Sequence, residues 1–247
     1  MRSLRHAIRL LGCILLLTAC QSAGKPDAYG IVDARSWMIA SPEAGQIAAL
    51  DIAEGAQVAP GTRAAQIDTL HLVLQRQALE AQISALKPAA RSDNSAERVY
   101  ARTNLASLEA QARIFNERIA RCAVCCPESG TVAAIYAHEH EFVAAGQPIF
   151  KLADLSRMYV EAWIDGSHLA GLAPGAEVRV RVDAPDGGLK DYPGRISYIA
   201  DEAQFTPGKV MTRSARTQLV YQIRIDLAGN GCLKAGMPAE IFLSPAP

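Results

Sequence analysis

A short motif written twice constrains this chain more than any other feature. The stretch SPEAGQIAALDIAEGAQVAPG at residues 41–61 aligns without a gap with CPESGTVAAIYAHEHEFVAAG at residues 126–146, at a constant offset of 85 residues. Pro42 and Pro127, Glu43 and Glu128, Gly45 and Gly130, Val58 and Val143, and Gly61 and Gly146 fall on each other. Each copy carries a short apolar run (Ile47 to Leu50; Val132 to Ile135), then a polar turn, then a valine and a glycine. Short strands joined by tight turns need glycine at such places. Neither copy is large enough to bury its own apolar face, so the pair is expected to close as one sandwich.

Between the copies the period changes from two to between three and four. Leu72, Leu79, Ile83 and Leu86 recur with Arg76 in the missing slot, and Ala101, Leu105, Leu108, Ala112, Phe115 and Ile119 alternate steps of four and three. That is the seam of a coiled coil. KPAARSDNSAE separates the runs, with Pro88 as a stop and Ser92, Asp93, Asn94 or Ser95 as N-cap. Residues 69–121 are therefore expected to form an antiparallel helical hairpin, each arm roughly 30 Å long at about 1.5 Å per residue.

Beyond the second copy, strict alternation returns. Val178, Val180 and Val182 alternate with Glu177, Arg179 and Arg181; Leu219, Tyr221, Ile223, Ile225 and Leu227 alternate with Gln218, Gln222, Arg224 and Asp226. Glycine and proline clusters punctuate these runs, which read as an antiparallel β-domain with one buried face, a small barrel. The fold class is mainly β with an inserted helical hairpin. The expected layout is a linker and first barrel strand at 20–40, sandwich halves at 41–68 and 122–154 around the hairpin, and a barrel at 155–247.

Acidic and basic residues balance at 25 each among 247, so no overall field favours nucleic acid as a partner. The N-terminus is more specific. Arg2, Arg5 and Arg9 precede a short apolar run, Leu10 to Leu17, which closes on Leu17-Thr18-Ala19-Cys20. The run is too short to span a bilayer, which takes roughly 20 residues, and has the layout of a signal peptide covering residues 1–19. Leu-Thr-Ala-Cys resembles the bacterial lipobox, in which the cysteine is lipidated and becomes the mature N-terminus. That resemblance makes Cys20 a lipid attachment site and puts the rest of the chain in the periplasm, held at a membrane.

Two β-half-motifs around a helical hairpin, followed by a β-domain, resemble the periplasmic adaptor subunits, or membrane fusion proteins, of the HlyD-like efflux family. In that family a biotinyl/lipoyl-like sandwich is split by the hairpin. PEAGQIAAL…EGAQVAPG and PESGTVAAI…HEFVAAGQPIFKLAD look like its two halves, and LSRMYVEAWIDGSHLAGLAPGAEVRVRV and LKAGMPAEIFL like its barrel strands. The resemblance implies an adaptor linking an inner-membrane transporter to a TolC-type outer-membrane duct, working as a ring-forming homo-oligomer. EAQFTP…VYQIRI looks more like adaptors serving ABC-type permease/ATPase exporters than those of proton-driven pumps. Fuller adaptors add a membrane-proximal domain after the barrel, whereas this sequence ends at Pro247, and its hairpin is short for the family. The alternative is a periplasmic lipoprotein binding module that uses the same scaffold without forming a conduit.

Catalytic and carrier chemistry find little footing. A lipoyl carrier needs a modified lysine on its turn, yet residues 41–68 contain no lysine. Cys122, Cys125 and Cys126 could suggest metal or redox chemistry. A strand there would place Cys122 and Cys126 on one face and Cys125 on the other, dispersing the thiols. With Cys232 downstream, a disulfide is open to them in an oxidising compartment, and buried free thiols are the plain alternative. His138-Glu-His-Glu141 aligns with an ordinary turn of the first copy and reads as a solvated loop. No cofactor, metal site or enzymatic step is expected. Arg91, Ser92, Asp93 and Asn94, at the hairpin tip, are polar and not required by the seam. In the family such tips meet the exit duct, so these four are the candidate partner-binding residues, although the usual Arg/Leu/Ser tip pattern is absent.

Overall fold

The duplication in the sequence is a duplication of backbone geometry. The computed structural model describes residues 25–169, 171–184, 187–205, 219–227 and 233–243. In the first copy, strands β2 (Gly45–Leu50), β3 (Gln57–Val58) and β4 (Arg63–Ile67) follow the long β1 (Ala28–Ala40). The second copy repeats them as β6 (Gly130–Ile135), β7 (Phe142–Val143) and the start of β8 (Pro148–Asp165), after the short β5 (Ala123–Cys125). Every first-copy start is matched 85 residues later.

The pairing is symmetric as well. Strand β2 meets β7 at Gly45↔Val143 and Gln46↔Phe142, while β3 meets β6 at Val58↔Gly130 and Gln57↔Thr131. Each copy thus completes the other's sheet, giving the orders β5-β4-β2-β7 and β1-β8-β6-β3. A register shift between Ile47 and Ala49 in the β2–β4 pair recurs between Val132 and Ala134 in β6–β8. The glycines opening β2 and β6 are fixed by close approach. A Cβ on Gly45 would stand 2.7 Å from an Ile67 methyl, and one on Gly130 would stand 2.8 Å from the Ala153 carbonyl. The core follows suit: Ile47, Ala64, Ala65 and Ile67 pack with Val132, Ile149, Phe150 and Leu152, all buried. Small Ala64 and Ala65 have large duplicates, Ile149 and Phe150, so the volume of the shared core is split unequally between the copies.

Two helices leave the sandwich between β4 and β5: α1 (Leu70–Leu86) and α2 (Ser95–Arg121), joined through a 3-10 turn at Ala89–Arg91. The expected seam holds. Leu72, Ile83 and Ala101 are buried, and Leu79, Leu86, Leu105, Leu108, Ala112, Phe115 and Ile119 are half-buried. Arg76, in the apolar series, reaches Glu80 (3.3 Å) and Asn116 on the other helix (3.3 Å). At the root, Leu72 joins the sandwich core, with Phe115 and Ile119 packed against it.

The second compact unit is a closed barrel. Strands β9 (Glu177–Asp183), β10 (Leu189–Ile199), β12 (Leu219–Leu227) and β13 (Pro238–Phe242) join β1 and β8 in the ring β12-β10-β9-β13-β1-β8, which β8–β12 pairing closes. A two-residue strand, β11 (Gln204–Phe205), extends β12 outside the ring. Val178, Val180, Val182, Ile196, Ile223, Ile225 and Ile241 fill the interior.

One expectation fails in β12. Leu219 is exposed and Val220 buried, so the alternation read from Leu219 to Leu227 changes phase at Tyr221 and Gln222. The partner strand β10 is irregular along the same pair, its register shifting between Ile196 and Tyr198. That extra residue breaks the alternation of β10 itself, leaving Ser197 and Tyr198 both exposed.

Candidate functional site

The hairpin tip is built on a capped helix start. Asn94 is the N-cap of α2, its side-chain oxygen accepting from the Ala96 amide at 3.1 Å. The Ser92 hydroxyl donates to Glu97 (2.7 Å) and accepts from the Asn94 amide (3.3 Å). Arg98 donates to the Ser92 carbonyl (2.9 Å), and Arg102 reaches the Ala90 carbonyl (3.3 Å). Cap side chains satisfy amides the helix itself leaves open. Of the four residues offered as N-cap by the sequence, Asn94 takes the position. Ser92 and Asn94 hold the turn, while the exposed side chains of Arg91 and Asp93 find no partner among the described residues.

Two neighbours escaped the sequence reading. Val99 and Tyr100, about one turn into α2, are 63% and 70% exposed. Both are apolar yet fall outside the four-three series that begins at Ala101, and that mismatch was the available signal. Like Arg91 and Asp93, they are exposed near the end of the arm.

At the other end of α2 sits an ion pair. Arg118 Nε and one terminal nitrogen donate to the two Glu43 carboxylate oxygens at 3.0 and 2.8 Å. The Arg118 guanidinium holds the Glu43 carboxyl below its ordinary value, against the opposing effect of burial.

Cys122 and Cys126 are buried, Cys125 is exposed, and all three are free thiols. Burial pushes the Cys122 and Cys126 thiols up, which keeps them protonated and unreactive. Cys122 is the C-cap of α2 rather than a strand residue, and Cys126 stands where the first copy has buried Ser41. His138 to Glu141 form an exposed turn, with His138 3.6 Å from Glu141. Among the described residues no cluster of His, Cys, Asp and Glu is arranged to hold a metal, and no helix is long and apolar enough to cross a membrane. Cys20 and Cys232 lie outside the described residues.

Against solved structures the fold has clear counterparts. A MacA–MexA chimera carrying the Pseudomonas aeruginosa MexA α-hairpin superposes with a TM-score of 0.71 at 18% identity, covering 88% of this chain and 81% of that one. The membrane fusion protein Spr0693 of Streptococcus pneumoniae R6 gives 0.67 at 19% identity, covering 89% and 98%. The fold is that of a membrane fusion protein. By sequence, the chain is 34% identical over 122 residues to the UPF0194 membrane protein YE2891 of Yersinia enterocolitica. That match takes in 48% of this chain and 36% of the relative, so the chain spans about a third of the relative's length. No family model matches.

Proposed function

We propose that this chain is a lipid-anchored periplasmic adaptor of a tripartite export system. The observation that carries the reading is an arm whose far end has no internal use. A helical hairpin leaves the duplicated sandwich and ends in exposed Arg91, Asp93, Val99 and Tyr100, which neither cap nor pack. Such a surface at the end of an arm suits contact with another protein. In this reading the tip meets a TolC-type outer-membrane duct, the barrel docks on an inner-membrane transporter of the ABC type, and copies assemble side by side into a ring. Cys20 carries the lipid, whose acyl chains each contribute about 0.8 kcal/mol per buried CH₂ to membrane binding. The function is assembly, with no chemical step.

The test is site-specific photocrosslinking from position 100, with Arg91→Ala and Asp93→Ala as variants. Crosslinks to an outer-membrane protein, lost in the double variant while the helix content stays, support the adaptor reading. Normal export by the tip variants with no crosslink turns the hairpin into a spacer within a binding module. Cys20→Ala should release the chain into the soluble periplasmic fraction, and unchanged acylation and fractionation in that variant would remove the anchor assignment.

A further inference from the structure

Duplication gives this structure an internal control for every residue in the two copies, and Glu43 departs from its control. Its duplicate, Glu128, follows a proline in the same way and is exposed with no ion pair among the described residues. The sandwich therefore does not need a paired carboxylate at this position. Only the first-copy glutamate is used, and what it holds is the arm.

We propose that the Glu43–Arg118 pair is a clamp that fixes the direction of the helical arm on the sandwich. The chain enters and leaves the hairpin at one point, because the Ile67 amide donates to the Cys122 carbonyl at 2.8 Å. Two connections that close together define a hinge axis without setting the angle about it. Arg118 lies about one turn up α2 from that point, away from the axis. Its guanidinium grips both oxygens of one carboxylate, a geometry more directional than a single contact.

Both sides of the grip are supported. On the helix, the guanidinium lies 5.8 Å from the ring centre of Phe115, which packs on the sandwich core. On the sandwich, the buried Ser41 hydroxyl donates to the Glu43 carbonyl at 2.6 Å. Ser41 is itself tied to the second copy through Gln147 (2.8 Å) and Gly146 (2.7 Å). The clamp thus connects the arm to a segment bonded to both copies.

Leverage makes the angle matter. Position 95 lies about 35 Å along the helix from position 118 at about 1.5 Å per residue, so a 10° swing at the root moves the tip by about 6 Å. That is one turn of helix, enough to misplace the tip surface. The clamp is a property of the chain alone and stands or falls apart from the adaptor reading.

The test is a distance distribution by pulsed electron resonance in the full mature chain. p-Acetylphenylalanine introduced at positions 48 and 95, both exposed, takes ketone-reactive spin labels and leaves the native cysteines untouched. Glu43→Gln should broaden or shift the distribution, Glu128→Gln should leave it as in the parent, and the Glu43→Arg/Arg118→Glu exchange should narrow it again. Where Glu43→Gln does not fold, Arg118→Lys, which keeps the charge and loses the two-pronged grip, is read the same way. A folded Glu43→Gln or Arg118→Lys chain with the parent's distribution overturns the proposal, leaving the packing of Phe115 and Ile119 to hold the arm.

Discussion

His140 adopts φ +70°, the only non-glycine among the described residues at positive φ. Its counterpart 85 positions earlier is Gly55, at φ +82°. The matching hydrogen bonds show why the conformation is kept: the Gly55 amide donates to Val132 and the His140 amide to Ile47, each at 2.8 Å. The fold dictates the left-handed turn in both copies, and the second bears a side chain there at a steric cost. His140→Gly should stabilise the chain by about 1 kcal/mol, read as a higher urea midpoint with unchanged slope. Glu43 makes a second prediction at this scale. Its carboxyl is held below the ordinary value of 4.5, first by the hydrogen bonds from Arg118. A depressed folded value means the stabilisation is complete above about pH 4.5 and is lost as pH falls through the lower folded value. Comparing parent and Glu43→Gln, the stability gap should be flat near neutrality and shrink in acid below that point.

The hairpin and the barrel differ in how far their sequences announce them. The seam was legible because a helix relates residues three and four apart through its own geometry, without reference to the partner. Arg76 in the apolar series also fits, since its charged end reaches Glu80 and Asn116 at the seam's margin. The choice among four possible caps was not legible, because it depends on how the turn closes against Ala90 and Arg98. Nor was the phase change in β12, because Leu219 and Val220 are both apolar and the sequence admits either phase there. Asn94→Ala should cost about 1 kcal/mol of stability, visible in denaturation and in earlier loss of helical signal. Arg91→Ala and Asp93→Ala should stay within about 0.5 kcal/mol of the parent. That contrast separates the residues that build the tip from those left free to bind.

For the whole molecule, symmetric pairing of the copies implies that the arm is an insertion the sandwich can do without. The strands that flank it, β4 and β5, already pair antiparallel at Gln66↔Ala123 and Ala65↔Val124. Replacing residues 69–121 by a single glycine would join Ile67 to Cys122 through Asp68-Gly, a sequence suited to a tight two-residue hairpin turn. The deletion removes Leu72 from the shared core, which should cost roughly 2–3 kcal/mol. It also shortens the loop that must close before the copies meet, which offsets part of that loss. We expect a chain that keeps its near-ultraviolet circular dichroism and unfolds cooperatively, while its far-ultraviolet helical signal disappears. If the shortened chain is instead unfolded at neutral pH, the two halves are not sufficient for one another. The helices would then be part of the sandwich's stability as well as its reach, through the root contacts of Leu72, Phe115 and Ile119.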